Sequence, residues 1–450
     1  MSSSSSTRTA KVCIMGATGL TGRLLAKYLL QYHSNYELTL MGRNMARLET
    51  LLETLLKEQL EQHQDSSSST SQPTLSLEQR IHLFQVDIDS VLSRDYSHMV
   101  VGSEPSSIQP KDENKSNTEE FNDSYAQFVK TLKSHHLIIN AMPPLDEHKT
   151  LHLGHLILSN RLDYIDPQMS PGTMNMLKTN FHSLAQQHHV TFVCQSGMYP
   201  GMESLMVRAA ALEEYLPQLT HADALILTRE KGGLASTSGE SDVAEFMKVS
   251  GTKVLQDSEW RENSSFSKKF NFISVDTELR AYPLELDEMK ELPRVIPTLK
   301  NGGVYVGELG LYPDLIMLGL QISVKHASFL SHPFTKWLAR ATKKIKAPYG
   351  AAIQVDAMDE KTQKKVSLSL FHDHVYDLTA LSMVAVIEQL IEKRLKKEID
   401  ASTVESAESN VRHEERDGGV YYAGIWADPR KFIESCKNKG VRFDVKIQEP

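Results

Sequence analysis

The first apolar run of the chain, residues 11–15, leads into a glycine-rich segment and then into apolar residues at helical spacing. Leu20, Leu24, Leu25 and Leu29 recur at the intervals of an amphipathic helix. Later short apolar runs end near residues 41, 87 and 140, between more polar stretches. This alternation predicts a strand, a tight turn and a helix, followed by further strands of a parallel sheet.

Three glycines at three-residue spacing occupy the predicted turn. In a dinucleotide-binding unit, one glycine permits the turn, one admits the pyrophosphate and one lets the helix pack on the strand. The helix N-terminus then offers amides and a positive dipole end to the phosphates. An ordinary packing turn is the alternative, because the spacing departs by one residue from Gly-x-Gly-x-x-Gly. The expected contacts are Gly16, Ala17, Thr18, Gly19, Leu20, Thr21 and Gly22.

The end of the second predicted strand carries Gly42, Arg43 and Asn44, and no carboxylate follows until Glu49. A dinucleotide site for NAD places an Asp or Glu about 20 residues beyond the glycines, on the ribose 2′-hydroxyl. An arginine instead offers a planar fork suited to a 2′-phosphate. The sequence therefore predicts NADP(H), with Arg43 and Asn44 as contacts; a solvated strand-end arginine is the alternative.

Two further strand ends complete the predicted cofactor site. Asp87 follows the third strand and is expected near the adenine edge, although a plain turn residue is equally compatible with this position. Ala141, Met142 and Pro143 follow the fourth strand. Ligands of such sheets lie outside the carboxyl ends of the strands, so this turn is expected beside the pyrophosphate and the nicotinamide ribose.

Beyond residue 166, predicted strands outnumber helices, which indicates a mixed, largely antiparallel sheet. The predicted fold class is α/β: a Rossmann-type doubly wound parallel sheet with a second α+β domain. We expect a nucleotide-binding domain over 1–166 with polar, low-complexity insertions at 61–79 and 101–125, a second domain over 167–375, and a C-terminal helix and tail over 376–450.

Several segments together resemble the saccharopine dehydrogenase-like NADP-binding oxidoreductases. The glycine motif with Gly42-Arg43-Asn44 is the specific part, supported by residues 140–144 and 164–166. Segments 197–205, 232–238, 376–380 and 419–421 are also similar to that family. The resemblance implies an NADP(H) domain, a domain for substrate binding or dimerisation, and a C-terminal segment that packs near the nucleotide domain. A homodimer is the expectation if the second domain serves dimerisation. It fixes no substrate.

Composition narrows the class of protein. The 450 residues carry a net charge of −8 without a basic stripe, which argues against a nucleic-acid surface. Three cysteines without pairing or metal spacing, and no apolar signal segment, predict a cytoplasmic protein. The most apolar helix candidate, 311–324, is interrupted by polar residues and proline. It is expected to be a core or interface helix, with peripheral membrane or lipid contact as the alternative.

The sequence assigns no catalytic residue. Tyr164, Asp166, Tyr199, His372 and His374 are the side chains considered as proton donors. We name Tyr199 as the candidate, because it lies in a Gly-x-x-Pro-Gly turn before a helix. The two histidines lack a third ligand at suitable spacing, so no metal site is predicted.

The sequence therefore favours an NADP(H)-dependent oxidoreductase that transfers a hydride to or from a small-molecule substrate. Two alternatives keep the same nucleotide-binding fold. One is a protein that senses NADP(H) without turnover, and the other is a lipid-associated protein. These assignments depend on likeness of fold, which by itself does not establish an activity.

Overall fold

The computed structural model describes residues 8–65, 76–93, 115–231, 253–263, 267–310, 337, 340–403 and 418–450. In it the chain forms two compact units, each assembled from separate stretches of sequence. The first unit comprises Met1–Gln168, Gly172–Cys194 and Ile387–Tyr421. The second comprises Met169–Pro171, Gln195–Val386 and Tyr422–Pro450.

The strands of the described residues are numbered in chain order. They are β1 (Ala10–Met15), β2 (Tyr36–Gly42), β3 (Ile81–Gln85), β4 (Leu137–Asn140), β5 (Asp163–Ile165), β6 (Thr191–Cys194), β7 (His221–Arg229), β8 (Lys253–Gln256), β9 (Glu259–Glu262), β10 (Lys268–Phe272), β11 (Thr277–Leu284), β12 (Asn301–Gly307), β13 (Gly350–Met358), β14 (Lys365–His372), β15 (Gly419–Tyr422) and β16 (Arg442–Gln448).

The α-helices of the described residues are numbered in the same way. They are α1 (Leu20–Tyr32), α2 (Met45–Asp65), α3 (Ile88–Leu92), α4 (Lys115–Lys133), α5 (Glu147–Ser159), α6 (Pro171–Gln187), α7 (Met202–Ala210), α8 (Leu292–Val295), α9 (Val375–Thr403), α10 (Ala423–Trp426) and α11 (Pro429–Asn438).

The first unit is built on a sheet with the order β3-β2-β1-β4-β5-β6-β15. The pairings from β3 through β6 are all parallel, and Met15 lies opposite both Met41 and Asn140. This order is that of a doubly wound, Rossmann-type sheet, as predicted. The direction of strand progression reverses between β1 and β4, which is where such sheets open a crevice at their carboxyl ends.

Burial on both faces explains why the strands of this sheet are continuous apolar runs. All residues of β4 are buried, as are those of β1 apart from Lys11. A parallel strand buried on both faces needs helices above and below it. In α1 the residues Leu25, Ala26, Leu29 and Leu30 form such a buried stripe.

The described parts of the predicted polar insertions are partly helical. α2 continues to Asp65, and α4 begins at Lys115. These polar segments extend helices whose apolar anchors lie outside the insertions: Leu51 and Leu55 in α2 and Phe128 and Leu132 in α4, all buried. Residues 66–75 and 94–114 lie outside the described residues.

The second unit contains a nine-stranded mixed sheet in the order β10-β11-β12-β7-β13-β14-β16, with β8 and β9 branching from β12. β7 and β12 are parallel, and every other recorded pairing of this sheet is antiparallel. The predicted mixed, largely antiparallel sheet is therefore confirmed.

The boundaries of the two units differ from the domain boundaries expected from the sequence. α6 and β6 were expected after the boundary at residue 166, but β6 pairs with β5 and extends the parallel sheet of the first unit. The C-terminal segment is split, because residues 387–421 cluster with the first unit whereas β16 pairs with β14 of the second. In both places strand pairing, which the local pattern does not encode, sets the division.

Two segments singled out in the sequence, 232–238 and 311–324, fall outside the described residues. Within the part of the chain that is described, no helix is both long enough and apolar enough to cross a bilayer. The cytoplasmic location, the lipid contact and the homodimer stay predictions.

Candidate cofactor site

The loop between β1 and α1 is a tight turn pressed against the end of β4. Gly16 adopts a left-handed φ of 77°, which favours glycine. A Cβ at Gly16 would lie 2.9 Å from the carbonyl oxygen of Ala141. The amide of Ala17 donates to the carbonyl of Met41, which ties the loop to the end of β2. The loop therefore lies where the carboxyl ends of β1, β2 and β4 meet.

The other two glycines of the motif have different surroundings. A Cβ at Gly22 would lie 2.4 Å from the carbonyl oxygen of Gly16 and 2.8 Å from Cα of Ala17, so α1 packs on the loop only because Gly22 has no side chain. Gly19 is exposed, and its Cβ would meet a single atom, the Gly16 carbonyl oxygen at 3.2 Å. Space outside Gly19 is therefore open to a ligand.

The first turn of α1 presents unused amide donors. The Ala17 amide donates to Met41 O, and the Gly19 amide donates to Gly16 O at 3.0 Å. The amides of Leu20, Thr21 and Gly22 donate to no acceptor among the described residues, and the first turn carries no acidic side chain. Free amides together with the positive end of the helix dipole favour an anion at this position.

Two arginines lie at the surface after β2, one directly after the strand and one in the first turn of α2. Arg43 and Arg47 are exposed, and the Arg43 guanidinium contacts no carboxylate within the described part of the chain. Asn44 Oδ1 accepts from the Arg47 amide at 3.1 Å, so its side chain caps the start of α2. A Cβ at Gly42 would lie 3.6 Å from Cγ2 of Thr18, which shows that β2 ends beside the glycine loop.

Asp87 is exposed at the start of α3, where its Oδ2 accepts from the Ser90 hydroxyl at 2.7 Å. This bond suits a residue that begins a helix, the plain reading that the sequence left open. The hydrogen bonding between β3 and β2 continues one residue beyond β3, because the amide of Val86 donates to Gly42 O at 2.9 Å. Asp87 therefore follows the sheet edge directly, and its contact with an adenine ring stays a prediction.

A network of buried polar groups, here called the strand-end ring, joins the carboxyl ends of β4 and β5. Asn140 Nδ2 donates to Tyr164 Oη at 3.0 Å, and the Met142 amide donates to Asn140 Oδ1 at 3.2 Å. Gln168 Nε2 donates to Met142 O at 3.3 Å, and the Gln168 amide donates to Asp166 Oδ1 at 2.9 Å. The Asp166 carboxyl also interacts with the Tyr164 hydroxyl, and this interaction adds to the effect of burial in raising the pKa of Tyr164.

Cys194, at the end of β6, adds a thiol to this cluster and hydrogen-bonds to Asp166. Burial, with the Asp166 charge adding to it, raises the pKa of the Cys194 thiol well above its usual range. The same two causes raise the pKa of Tyr164. Both groups therefore keep their protons and act as donors to Asp166, which argues against a nucleophilic thiol.

The candidate Tyr199 belongs to the second unit, whereas the residues of the predicted cofactor site belong to the first. It is half-buried in a turn that closes through a hydrogen bond from the Gly197 amide to Pro200 O at 3.0 Å. Gly201 ends the turn with a φ of 130°, and a Cβ there would lie 2.5 Å from Gln195 O. A catalytic role for Tyr199 stays a prediction.

A buried pair of carboxyl groups holds this turn at the start of α7. The Gly201 amide donates to Glu203 Oε2 at 3.1 Å and to Glu288 Oε1 at 3.2 Å. The other oxygen of each carboxyl is buried and receives no donor from the described residues. A proton shared between the two acids satisfies both oxygens, because a protonated carboxyl donates and a carboxylate accepts.

Burial raises the pKa of Glu288 to about 7. Burial raises the pKa of Glu203 well above its usual range, and the neighbouring Glu288 charge adds to this effect. The pair was missed in the sequence because Glu203 resembles an ordinary acidic residue at a helix start and its partner lies in a distant segment. Among the described residues, no three His, Cys, Asp or Glu side chains are grouped closely enough to hold a metal ion.

Comparison with known proteins supports the fold. No protein-family model and no curated protein matches the chain. Apo saccharopine dehydrogenase (L-Glu forming) from Saccharomyces cerevisiae aligns over 98% of this chain and 100% of its own, with a TM-score of 0.54 and 10% identity. DAP dehydrogenase from C. glutamicum aligns over 96% of this chain and 99% of its own, with a TM-score of 0.40 and 9% identity. A mutant meso-DAP dehydrogenase from Clostridium tetani aligns over 96% of this chain and 100% of its own, with a TM-score of 0.40 and 10% identity. The chain shares the fold of the yeast enzyme.

The three glycines yield a prediction that separates ligand binding from folding. Gly19→Val should abolish dinucleotide binding while lowering the free energy of unfolding by only about 1 kcal/mol, because Gly19 is an exposed helix N-cap whose Cβ would meet a single protein atom, Gly16 O at 3.2 Å. Gly22→Ala should lower that free energy by about 1–3 kcal/mol through overpacking. Dinucleotide titration and chemical denaturation of both variants test this. Unchanged dinucleotide affinity in Gly19→Val would contradict the assignment of the loop.

The acid pair generates a prediction about pH. The folded-state pKa of Glu288 is raised from 4.5 to about 7. Its favourable contribution to the free energy of unfolding is therefore fully present below about pH 4.5 and is lost as pH rises through 7. Glu288→Gln should remove up to about 3 kcal/mol of this pH dependence of unfolding. The matched control is Glu213→Gln at an exposed position. Equal pH profiles for the native chain and Glu288→Gln would refute the shared-proton interpretation.

Proposed function

We propose that the chain is an NADP(H)-dependent oxidoreductase that transfers a hydride to or from a small-molecule substrate. The observation that carries the proposal is the loop between β1 and α1. There the exposed Gly19 leaves open space beside three unused amides, at the point where the order of the parallel strands reverses. Dinucleotides bind at this position in doubly wound sheets.

The residues present fit a dinucleotide pyrophosphate. A side chain at Gly19 would fill the space that the phosphates require, whereas glycine leaves the backbone accessible. The amides of Leu20, Thr21 and Gly22 supply hydrogen-bond donors, and α1 supplies the positive end of its dipole. These groups bind charge through the backbone, so the loop itself does not distinguish NAD from NADP.

The choice of NADP(H) depends on the end of β2. Arg43 is exposed and without a carboxylate partner among the described residues, so its guanidinium remains available to a phosphate. Guanidinium groups bind phosphate oxygens through two parallel, charge-assisted hydrogen bonds. The ribose-binding carboxylate that NAD requires is missing from the Gly42-Arg43-Asn44 segment. Both features favour a 2′-phosphate.

When bound, the nicotinamide dinucleotide supplies the hydride chemistry, and the protein supplies position, electrostatics and a proton where one is needed. In the first unit the glycine loop and the 141–144 turn would hold the ligand. Tyr164 and Asp166, considered as proton donors in the sequence, are committed to the buried strand-end ring. Tyr199, the candidate named from the sequence, stays the proposed polar contact to the substrate.

The common fold with a dehydrogenase supports an oxidoreductase. At 10% identity the likeness to saccharopine dehydrogenase extends to the fold alone, so no substrate is carried over. A direct test follows the loss of NADPH absorbance with a panel of carbonyl and imine metabolites. Oxidation of NADPH with a member of the panel supports the proposal, and tight NADPH binding without turnover on any member supports the sensing alternative.

The cofactor preference is tested at Arg43. Arg43→Asp should weaken NADPH binding by about 1.5–3 kcal/mol, because it removes the charge-assisted contact and places a negative charge near the 2′-phosphate. NADH affinity should change much less, so the gap between the two cofactors narrows. Isothermal titration measures both affinities, with Arg294→Asp in the second unit as a control of equal charge change. Equal affinity of the unmodified protein for NADPH and NADH would rule out NADP preference.

A further inference from the structure

We propose that the strand-end ring fixes the 141–144 turn against the glycine loop and thereby sets the affinity for the nicotinamide half of the dinucleotide. Tyr164 is then a positioning residue, which acts through Asn140 without touching the ligand. The inference rests on the proposed function and goes beyond it, since it names the interaction that shapes one wall of the site.

The first step of the argument is the contact between the turn and the loop. The Ala141 amide donates to Met15 O at 3.0 Å, which holds the start of the turn beside the end of β1. A Cβ at Gly16 would lie 2.9 Å from Ala141 O and 3.0 Å from Met142 Cγ. The turn therefore lies directly against the first glycine, and a shift of Met142 changes the surface that faces a ligand.

The second step is topological. The ends of β2 and β3 lie on one side of β1, and the end of β4 lies on the other. In a doubly wound sheet each half binds one mononucleotide, so the β4 side receives the nicotinamide half and Arg43 lies on the adenosine side. A displaced 141–144 turn is therefore expected to affect one half of the dinucleotide selectively.

The third step is that hydrogen bonds from buried side chains fix the position of the turn. Asn140, Tyr164, Asp166 and Gln168 are all buried, where an unsatisfied polar group is costly. Asn140 Oδ1 and Gln168 Nε2 bind the amide and the carbonyl of the same residue, Met142. The backbone of the turn is thus held on both sides by side chains that the rest of the ring orients.

A small cavity adjoins the ring. Asn140, Tyr164 and Gln168 line it, together with apolar side chains such as Leu153 and Phe192. Without the Tyr164 hydroxyl, Asn140 Nδ2 loses its acceptor, so Asn140 is expected to rotate and the turn that its Oδ1 holds is expected to relax.

The experiment compares two probes that share the adenosine 2′-phosphate. NADPH occupies both halves of the site, whereas 2′,5′-ADP lacks the nicotinamide half. Tyr164→Phe removes the hydroxyl that accepts from Asn140 Nδ2 and keeps the aromatic side chain. It therefore breaks the strand-end ring without creating a large cavity. Cys194→Ala is the matched control, because Cys194 is equally buried and bonds to Asp166 but is not a member of the ring.

In Tyr164→Phe we expect NADPH affinity to fall about threefold to tenfold, the effect of one neutral hydrogen bond. Affinity for 2′,5′-ADP should change by less than about twofold, as for independent sites. Gln168→Leu, which breaks the ring at another link, should reproduce this pattern. Cys194→Ala should leave both affinities near those of the unmodified chain.

The outcomes separate the positioning role from the proposed function. If the unmodified chain binds neither probe, the proposed function fails, and the positioning role fails with it. If the chain binds both probes and Tyr164→Phe weakens them equally, the ring supports the whole domain and does not position one wall. Unchanged NADPH affinity in both ring variants would also overturn the positioning role while leaving the proposed function intact.

Discussion

The close approach of α1 to the β1 loop is the constraint on which the geometry of the first unit depends. The carbonyl oxygen of Gly16 lies 2.4 Å from the point that a Cβ at Gly22 would occupy, so any side chain there forces the helix or the loop to shift. This approach places the first turn of the helix over the carboxyl end of β1, with its free amides beside the open face of Gly19. The left-handed Gly16 in turn admits Ala141. Two missing Cβ atoms, at Gly16 and Gly22, thus align a helix, a loop and a neighbouring strand end.

The two units hold critical turns with buried polar groups, but the chemistry of these groups differs. In the strand-end ring each bond named joins a donor to an acceptor, and Tyr164 and Cys194 keep their protons because burial raises their pKa values. In the acid pair two acceptors share one amide, that of Gly201, and need a proton to be satisfied. Tyr164 and Cys194 therefore stay neutral over a wide range of pH. The acid pair changes charge when its shared proton is lost.

The sequence predicted the features that are local. The glycine spacing and the helical stripe behind it identified the β1–α1 loop, and the apolar runs located β2, β3 and β4. The strand-end ring was not predicted as a unit, because its members meet only after β4 and β5 pair. Tyr164 and Asp166 were noticed singly, and Gln168 was missed. The partner of Glu203 was missed for the same reason, and the division into units followed strand pairings that join distant segments.

The discontinuity of the first unit has a consequence for folding during synthesis. Residues 1–194 contain β1 to β6, yet β15 joins the sheet only through residues beyond 418, such as Gly419, whose amide donates to Val190 O. On a ribosome that releases the N-terminus first, β6 is therefore the outermost strand of the sheet until the intervening residues have been made. The length of the chain between β6 and β15 adds little to the free-energy cost of pairing these strands, because the entropy of loop closure grows slowly with loop length. Its effect is kinetic: an unpaired strand edge is open to wrong partners throughout that interval, and β15 covers it last.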